Sequence, residues 1–271
     1  MTAEALLKIV ATHISGNLGD AQQEYKKYLK SFPGDPIATA LFALVNGQSV
    51  FTRMSKHMAL AILQNGGFNP ATVFDVGAQF GTPPLINVFP HAHHVMFEPV
   101  AECEHALQSL CAKLKSAEYH MAAVTAQSGP INLWISKNRL YSTIGDNPHE
   151  EGEVYRTVNG ISLNDIRSNS NFKGPYLVKV DVDGAEIEVL KGATSLITKE
   201  SVFVVEATLL DENPRFSKII NFFEPFDFIP YDVVDFLYRP ADSGLWQVDL
   251  ILVHKDSPYR ALKTWNRPSA V

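Results

Sequence analysis

An apolar, β-rich run, Thr72-Val73-Phe74-Asp75-Val76, carries an acid near its end and enters the turn Gly77-Ala78-Gln79-Phe80-Gly81. A second apolar run, Val95-Met96-Phe97, ends in Glu98, seventeen residues after Gly81. Strand, glycine turn, helix and a second strand closing on a carboxylate is how an α/β sheet builds a nucleotide crevice. The first of these strands is expected at the centre of the sheet, with Asp75 and Gly77 at its carboxyl end.

The glycine spacing discriminates among ligands. A dinucleotide site wants Gly-x-Gly-x-x-Gly, so that a helix N-terminus can sit against pyrophosphate. Here Gln79 stands at the middle position and Thr82 at the third. The turn Asp75-x-Gly77-x-x-x-Gly81 suits a ligand with a ribose, a cationic amino-acid tail and no pyrophosphate, as in S-adenosylmethionine (SAM). Asp75 is then the candidate for the tail amino group, directly or through the turn. Gly77, Ala78, Gln79 and Gly81 supply the turn, and Glu98 can accept both ribose hydroxyls. An NAD(P)-dependent oxidoreductase is the competing enzyme reading, disfavoured by Gln79 and Thr82. A non-catalytic protein that binds SAM or a partner is the third, ranked low because Asp75 and Glu98 are both intact.

Composition sets outer limits. The 271 residues hold one large α/β domain plus an accessory segment. Apolar residues make up 46% and charged residues 19%, as in an ordinary globular protein. The net charge of −6, with no long Lys/Arg run, argues against a nucleic-acid partner. The apolar run from Ile37 to Val45 is too short to span a bilayer, and the N-terminus is a poor signal peptide. Cys103 and Cys111 share a helical pattern, about 12 Å apart along its axis, which is beyond disulfide reach. Two packing cysteines fit a cytoplasmic protein.

Residues 1–68 read as helices alone. Asp20 is the expected N-cap of a helix over Ala21–Leu29, Pro36 begins another, and Ser49–Leu63 forms a further one, stopped by Asn65-Gly66-Gly67. This segment is expected to be a helical cap or lid, or a homodimer surface. Residues 69–271 form the second domain, in which strands and helices alternate. Strands are expected at Thr72–Val76, His94–Phe97, Tyr119–Val124, Ile131–Ile135, Val154–Val158, Tyr176–Val182 and Ser201–Val205. A hairpin over Tyr231–Leu237 and Leu245–Val253 closes the chain. The pattern predicts a parallel α/β sheet covered on both faces, with an antiparallel edge.

A second constellation lies a hundred residues after the first: Val178-Lys179-Val180-Asp181-Val182-Asp183-Gly184-Ala185-Glu186. In strand geometry Asp181 and Asp183, at i and i+2, point to one face. Two converging carboxylates raise one pKa or bind a divalent cation. The plainer reading makes Asp183 a helix cap and Glu186 its capping-box partner.

The segments Phe74–Gly81, Phe97-Glu98-Pro99, Lys179–Glu186, Val189-Leu190-Lys191-Gly192-Ala193 and Val205-Glu206 together resemble the FkbM family of SAM-dependent methyltransferases. The resemblance runs over about residues 70–255. It departs from the family at Gln79, where Asn is usual, and at Asp183, where Glu is common. It implies a seven-stranded Rossmann-like sheet, mostly parallel with a C-terminal antiparallel hairpin, and methyl transfer from SAM to a hydroxyl of a sugar or secondary metabolite. Asp75, Gly77, Ala78, Gln79, Gly81, Glu98, Ala123 and Asp181 are the cofactor-binding set. An alkyl hydroxyl is a poor nucleophile and needs a base or a metal. Asp181 and Asp183 are the first candidates, as base or as ligands of a divalent cation; Glu206 is the third and Asp249 the fourth.

His91, His93 and His94 precede the second strand, about 13 Å from Glu98 at 3.3 Å per residue, and read as a solvated loop at the wrong edge. His120, placed at the start of the third strand, meets the same objection. The polar segment 138–153, with Tyr141, Ser142, Thr143 and His149, is the expected acceptor loop. Trp134 and Trp246 are expected to pack.

Overall fold

Four glycine- or proline-marked stops divide the N-terminal third of the chain into helices. In the computed structural model these are α1 (Thr2–Ile14), α2 (Leu18–Ser31), α3 (Pro36–Val45) and α4 (Lys56–Asn65). The structure describes residues 2–45, 55–136, 142–144, 153–209 and 215–260. The chain divides into two compact units, 1–53 and 54–271.

In the first unit α1, α2 and α3 pack around Ile9, Ala21, Tyr25, Tyr28 and Ala38. Asp35 fixes the start of α3 by accepting the N–H groups of Ile37 (2.9 Å) and Ala38 (3.0 Å), which the helix itself leaves free. The expected cap at Asp20 is corrected: α2 begins three residues earlier than expected, at Leu18, and Asp20 instead accepts from the Asn17 side chain.

α4 belongs to the second unit, where Ala59, Leu60 and Leu63 enter the core. It begins at Lys56, capped by the Ser55 hydroxyl, rather than at Ser49; residues 46–54 lie outside the described residues. The strands follow as β1 (Thr72–Val76), β2 (His93–Phe97), β3 (Ala117–His120), β4 (Ala123–Val124), β5 (Gly129–Ile135), β6 (Ser142–Ile144), β7 (Val154–Ile161), β8 (Tyr176–Val180), β9 (Val202–Thr208), β10 (Phe228–Tyr238) and β11 (Leu245–His254). Between them lie α5 (Pro83–Val88), α6 (Glu104–Cys111), α7 (Leu163–Asn169), α8 (Glu186–Lys191) and α9 (Arg215–Phe223).

Seven strands form one sheet in the order β10-β11-β9-β8-β1-β2-β3. β1 is central as expected, with Phe74 paired to Val95 on one side and Val178 on the other. β9, β8, β1, β2 and β3 are parallel, while β11 inserts antiparallel between β9 and β10. Alternate residues of each inner strand feed opposite faces. Phe74, Val178, Phe203 and Leu250 join α8 and α9 on one face. Val73, Leu177, Val204 and Ile251 meet α4 and α5 on the other.

One expected strand is two. The run Tyr119–Val124 breaks at a turn in which Ala122 N–H donates to the His120 carbonyl. β3 stays beside β2, whereas β4 leaves to pair with β7 in a second sheet of order β4-β7-β5-β6. Leu133 and Ile135 of β5 pack with Ala123, Val100 and Cys103 and so wall off the carboxyl edge of the main sheet.

Candidate active site

At the carboxyl end of β1 the chain must turn beneath its neighbour. Gly77 has φ +72, and a Cβ there would lie 1.8 Å from the Asp181 carbonyl oxygen, so only glycine fits. The N–H groups of Gly77 and Ala78 both donate to the Phe97 carbonyl, at 3.1 and 3.0 Å. Gln79 (φ +50) and Gly81 (φ +93) continue the left-handed turn. A Cβ on Gly81 would meet Leu110 at 2.3 Å.

Asp75 holds this turn. Its Oδ2 accepts Thr82 N–H (3.0 Å), its Oδ1 accepts the Thr82 hydroxyl (2.9 Å), and Lys179 Nζ lies 3.4 Å away. The carboxylate is buried beneath the turn and not in the cleft. Its contacts are therefore with the turn and with Lys179. Ala78, under Met96 and Leu107, and Gly81, against Leu110, are also framework rather than lining.

Glu98 follows directly on β2, at the carboxyl edge where it is expected. Its Oε1 accepts Val100 N–H (2.9 Å) and its Oε2 accepts Gln79 N–H (2.8 Å). Burial raises its pKa above the ordinary carboxylate value, and the two N–H groups oppose that rise. Each oxygen keeps a lone pair for a further donor. The residue opens on a cleft of about 790 Å³, mouth included, lined by Gly77, Gln79, Glu98, Ala123, Asp181 and Asp183 among others.

Asp181 leaves β8 at the same edge. Its Oδ2 is 3.2 Å from Lys179 Nζ, and it shares a hydrogen bond with Glu206, the penultimate position but one of β9. Lys179 itself is buried, paired also with Asp75, and donates to the Gly77 carbonyl at 2.9 Å. Burial is the largest influence on all three groups. The carboxylates around Lys179 outweigh it and raise that ammonium's pKa. Lys179 likewise holds Asp181 below the usual carboxylate range. Glu206, buried beside Asp181, is pushed well above that range, so the pair holds one proton between two carboxyls. Gln247 Nε2 donates to Glu206 Oε1.

The expectation for Asp183 is corrected. β8 ends at Val180 and Asp183 has φ +47, so the alternation that would face it with Asp181 does not apply. Nor does it cap α8: the cap position is Ala185, and Glu186 accepts Gly184 N–H at 2.8 Å. Asp183 lies on the rim of the cleft. Desolvation against the turn and the Asp181 and Glu186 carboxylates raise it to about 6, although its surface is exposed; that exposure favours the carboxylates as the firmer cause. Among the described residues no group of three or more His, Cys, Asp or Glu side chains is arranged to hold a metal ion. With the Asp181 charge opposite the Lys179 ammonium, we assign neither acid as a metal ligand.

Three charged residues at the site escaped sequence reasoning or were ranked low. Lys179 had one signal, a lone cation inside an apolar strand. Asp249, cross-strand partner of Glu206, lies 2.5 Å from Nζ of Lys56, the first residue of α4. Lys56 carried no signal, because nothing local marks the end of a helix as facing a strand two hundred residues later.

The remaining candidates separate cleanly. His94 is corrected from a solvated loop to a buried residue: it is the second residue of β2 and its Nε2 meets the Phe89 carbonyl at 3.0 Å. Burial lowers its pKa. His93 bonds Ser116, and the group stays at the amino edge of the strand. His120 ends β3 rather than starting a strand, stacks on Phe97 at 5.0 Å, and offers its carbonyl to Glu98 N–H. Ser142 lines the cleft, while Tyr141 and His149 lie outside the described residues. Trp134 packs on Tyr155 and Trp246 beneath Arg239. Cys103 and Cys111 are free thiols, the first at the cleft wall.

The family described as the methyltransferase FkbM domain matches residues 75–230, more than half of the chain. No curated protein sequence matches. Similar solved structures include precorrin-6y C5,15-methyltransferase from Geobacter metallireducens, at 13% identity and TM-score 0.39 over 72% of this chain and 85% of that one. The 1,6-didemethyltoxoflavin-N1-methyltransferase of Burkholderia thailandensis, solved with S-adenosylhomocysteine, gives 12% and 0.40 over 78% and 83%. The fibrillarin pre-rRNA processing protein of Methanococcus jannaschii gives 14% and 0.43 over 74% and 75%. Likeness at this level carries no information on substrate.

Proposed function

The chain belongs to the FkbM methyltransferase domain family, and on that premise we propose that it transfers a methyl group from SAM to a hydroxyl of a sugar or secondary metabolite. The observation that carries the reading is Glu98. Its two oxygens are held by one backbone N–H each at the cleft, with acceptor capacity left over for two ribose hydroxyls.

SAM supplies, when bound, an electrophilic methyl on a sulfonium centre. The residues fit that group: a carboxylate for the ribose, the open Gly77–Gln79 turn for the amino-acid tail, and the Ala123 and Leu133 side chains as an apolar wall. Asp75 acts on this site through the turn it ties to Thr82 and Lys179. The main catalytic contribution is alignment of the acceptor oxygen with the methyl. Asp181, at the cleft and in contact with Glu206, takes the hydroxyl proton and disperses it over the pair. Asp183, on the rim, faces the acceptor side. For the N-terminal unit we propose a cap or a homodimer surface, supported by the exposed Leu7, Ile14, Leu18 and Ile37.

Calorimetric titration tests the cofactor. S-adenosylhomocysteine should bind and NAD should not, and Glu98→Ala should weaken S-adenosylhomocysteine by about 10–100-fold, the worth of a charged hydrogen bond. Binding of NAD alone would overturn the reading. Release of S-adenosylhomocysteine from SAM, read against a panel of sugar and polyketide alcohols and of amines, tests the acceptor. Turnover confined to amines would replace oxygen with nitrogen as the methylated atom.

A further inference from the structure

Lys56 is a buried cation at a place that asks for none. The other buried residues of α4 are Ala59, Leu60 and Leu63. Lys56 Nζ sits 2.5 Å from Asp249 Oδ2, a close ion pair rather than an aligned hydrogen bond, and 3.6 Å from Asp235 Oδ2. Its backbone N–H donates to Asp235 Oδ1 at 2.9 Å. Asp235 reaches it from a left-handed residue, φ +52, at an irregularity in the β10–β11 register.

The partner acid leads back to the cleft. Asp249 is the cross-strand partner of Glu206, and Glu206 shares a hydrogen bond with Asp181, which lines the cleft. Side chains of β1, β8, β9, β11 and α4 thus form one charged strip on one face of the sheet. Its acids are Asp75, Asp181, Glu206 and Asp249, with Asp235 behind and Asp183 and Glu186 beyond the turn after β8. Its cations are Lys179 and Lys56, with Arg215 on the far side against Glu186. Without Lys56, Lys179 alone would offset the buried acids of the strip.

We propose that Lys56 is a positioning residue for the proton-accepting end of the cleft: paired with Asp249, it keeps that buried acid's charge compensated beside the Asp181–Glu206 pair. The inference rests on reading that pair as the proton acceptor. Both Lys56 and Asp249 lie outside residues 75–230 that match the family. Loss of the ammonium strands a buried Asp249 carboxylate, and that uncompensated charge raises the pKa of the neighbouring pair.

Carboxyl carbon NMR titration of the full chain, labelled at Asp and Glu side chains, reads this without an acceptor. Signals are assigned with Asp181→Asn and Glu206→Gln. Lys56→Met should move the titration midpoint of the pair upward by about one pH unit or more. Lys56→Arg should leave it near the wild-type value, and Lys56→Met with Asp249→Asn should return it most of the way. An unmoved midpoint in folded Lys56→Met overturns the proposal. So does a double variant as displaced as the single one, which would mean that Lys56 acts through packing alone. If Lys56→Met does not fold, Asp249→Asn is compared with the double variant, and the same upward step is required. Failure of S-adenosylhomocysteine to bind would strike the proposed function, while the titration of the ligand-free chain still decides this inference.

Discussion

A Cβ on Gly77 would fall 1.8 Å from the carbonyl oxygen of Asp181, so the first turn of the sheet and the end of β8 touch backbone to backbone. Two motifs a hundred residues apart are thereby one object. The Lys179 ammonium, which donates to the Gly77 carbonyl and pairs with Asp181, clamps them together.

Gly77→Ala therefore meets both a steric clash with backbone and a φ of +72. We expect a loss of about 2–4 kcal/mol in urea unfolding and loss of S-adenosylhomocysteine binding. A variant with unchanged stability and affinity would show that the two backbones do not approach as described.

The motif Leu190-Lys191-Gly192-Ala193 is framework. A Cβ on Gly192 would lie 2.1 Å from the Thr125 carbonyl oxygen, where the start of the second sheet passes the end of α8. Gly192→Ala should cost about 1–3 kcal/mol. The folded fraction should still bind S-adenosylhomocysteine with wild-type affinity, since Gly192 does not line the cleft.

Lys179→Met removes the cation between Asp75 and Asp181. Breaking one side of a buried ion pair costs about 3–5 kcal/mol, because it leaves charge without compensation. Denaturant midpoints should fall accordingly, and Lys179→Met combined with Asp75→Asn should recover part of the loss. No recovery would mean that the pairing is not the source of the effect.

Asp249 sets a pH dependence. Burial, more than Lys56 offsets, raises it from 3.8 to about 6. The folded state thus binds its proton more tightly than the unfolded chain does. Its contribution to stability is full below about pH 4 and is lost as pH rises through 6, a fall of up to about 3 kcal/mol. Urea unfolding of Asp249→Asn between pH 4 and 7 should show a flatter decline than the wild type. Equal slopes would place the titration elsewhere.

β1, the glycine turn, β2 and Glu98 were legible because each depends on neighbours in sequence: an apolar run forms the strand, glycine permits the left-handed turn, and an acid ends the next strand. The break between β3 and β4 was not legible. Tyr119–Val124 is a uniform β-forming run, and only the separate pairing partners of its two halves divide it. Asp183 misled for a similar reason, since strand alternation holds only as far as the strand, and β8 stops at Val180.

The order of most strands and helices, the turn at Gly77, the carboxylate at Glu98 and the family could be read from the chain alone. Those follow from local backbone preference and from residue spacing along one chain. Which charges act together could be read only from the folded chain. Lys56, Lys179, Glu206 and Asp249 meet because β11 inserts antiparallel between β9 and β10 and brings Asp249 opposite Glu206, while α4 lays its first residue over that edge. The energy of a buried charge depends on what lies within a few ångströms of it, and that is a property of strand order and register rather than of position in the chain.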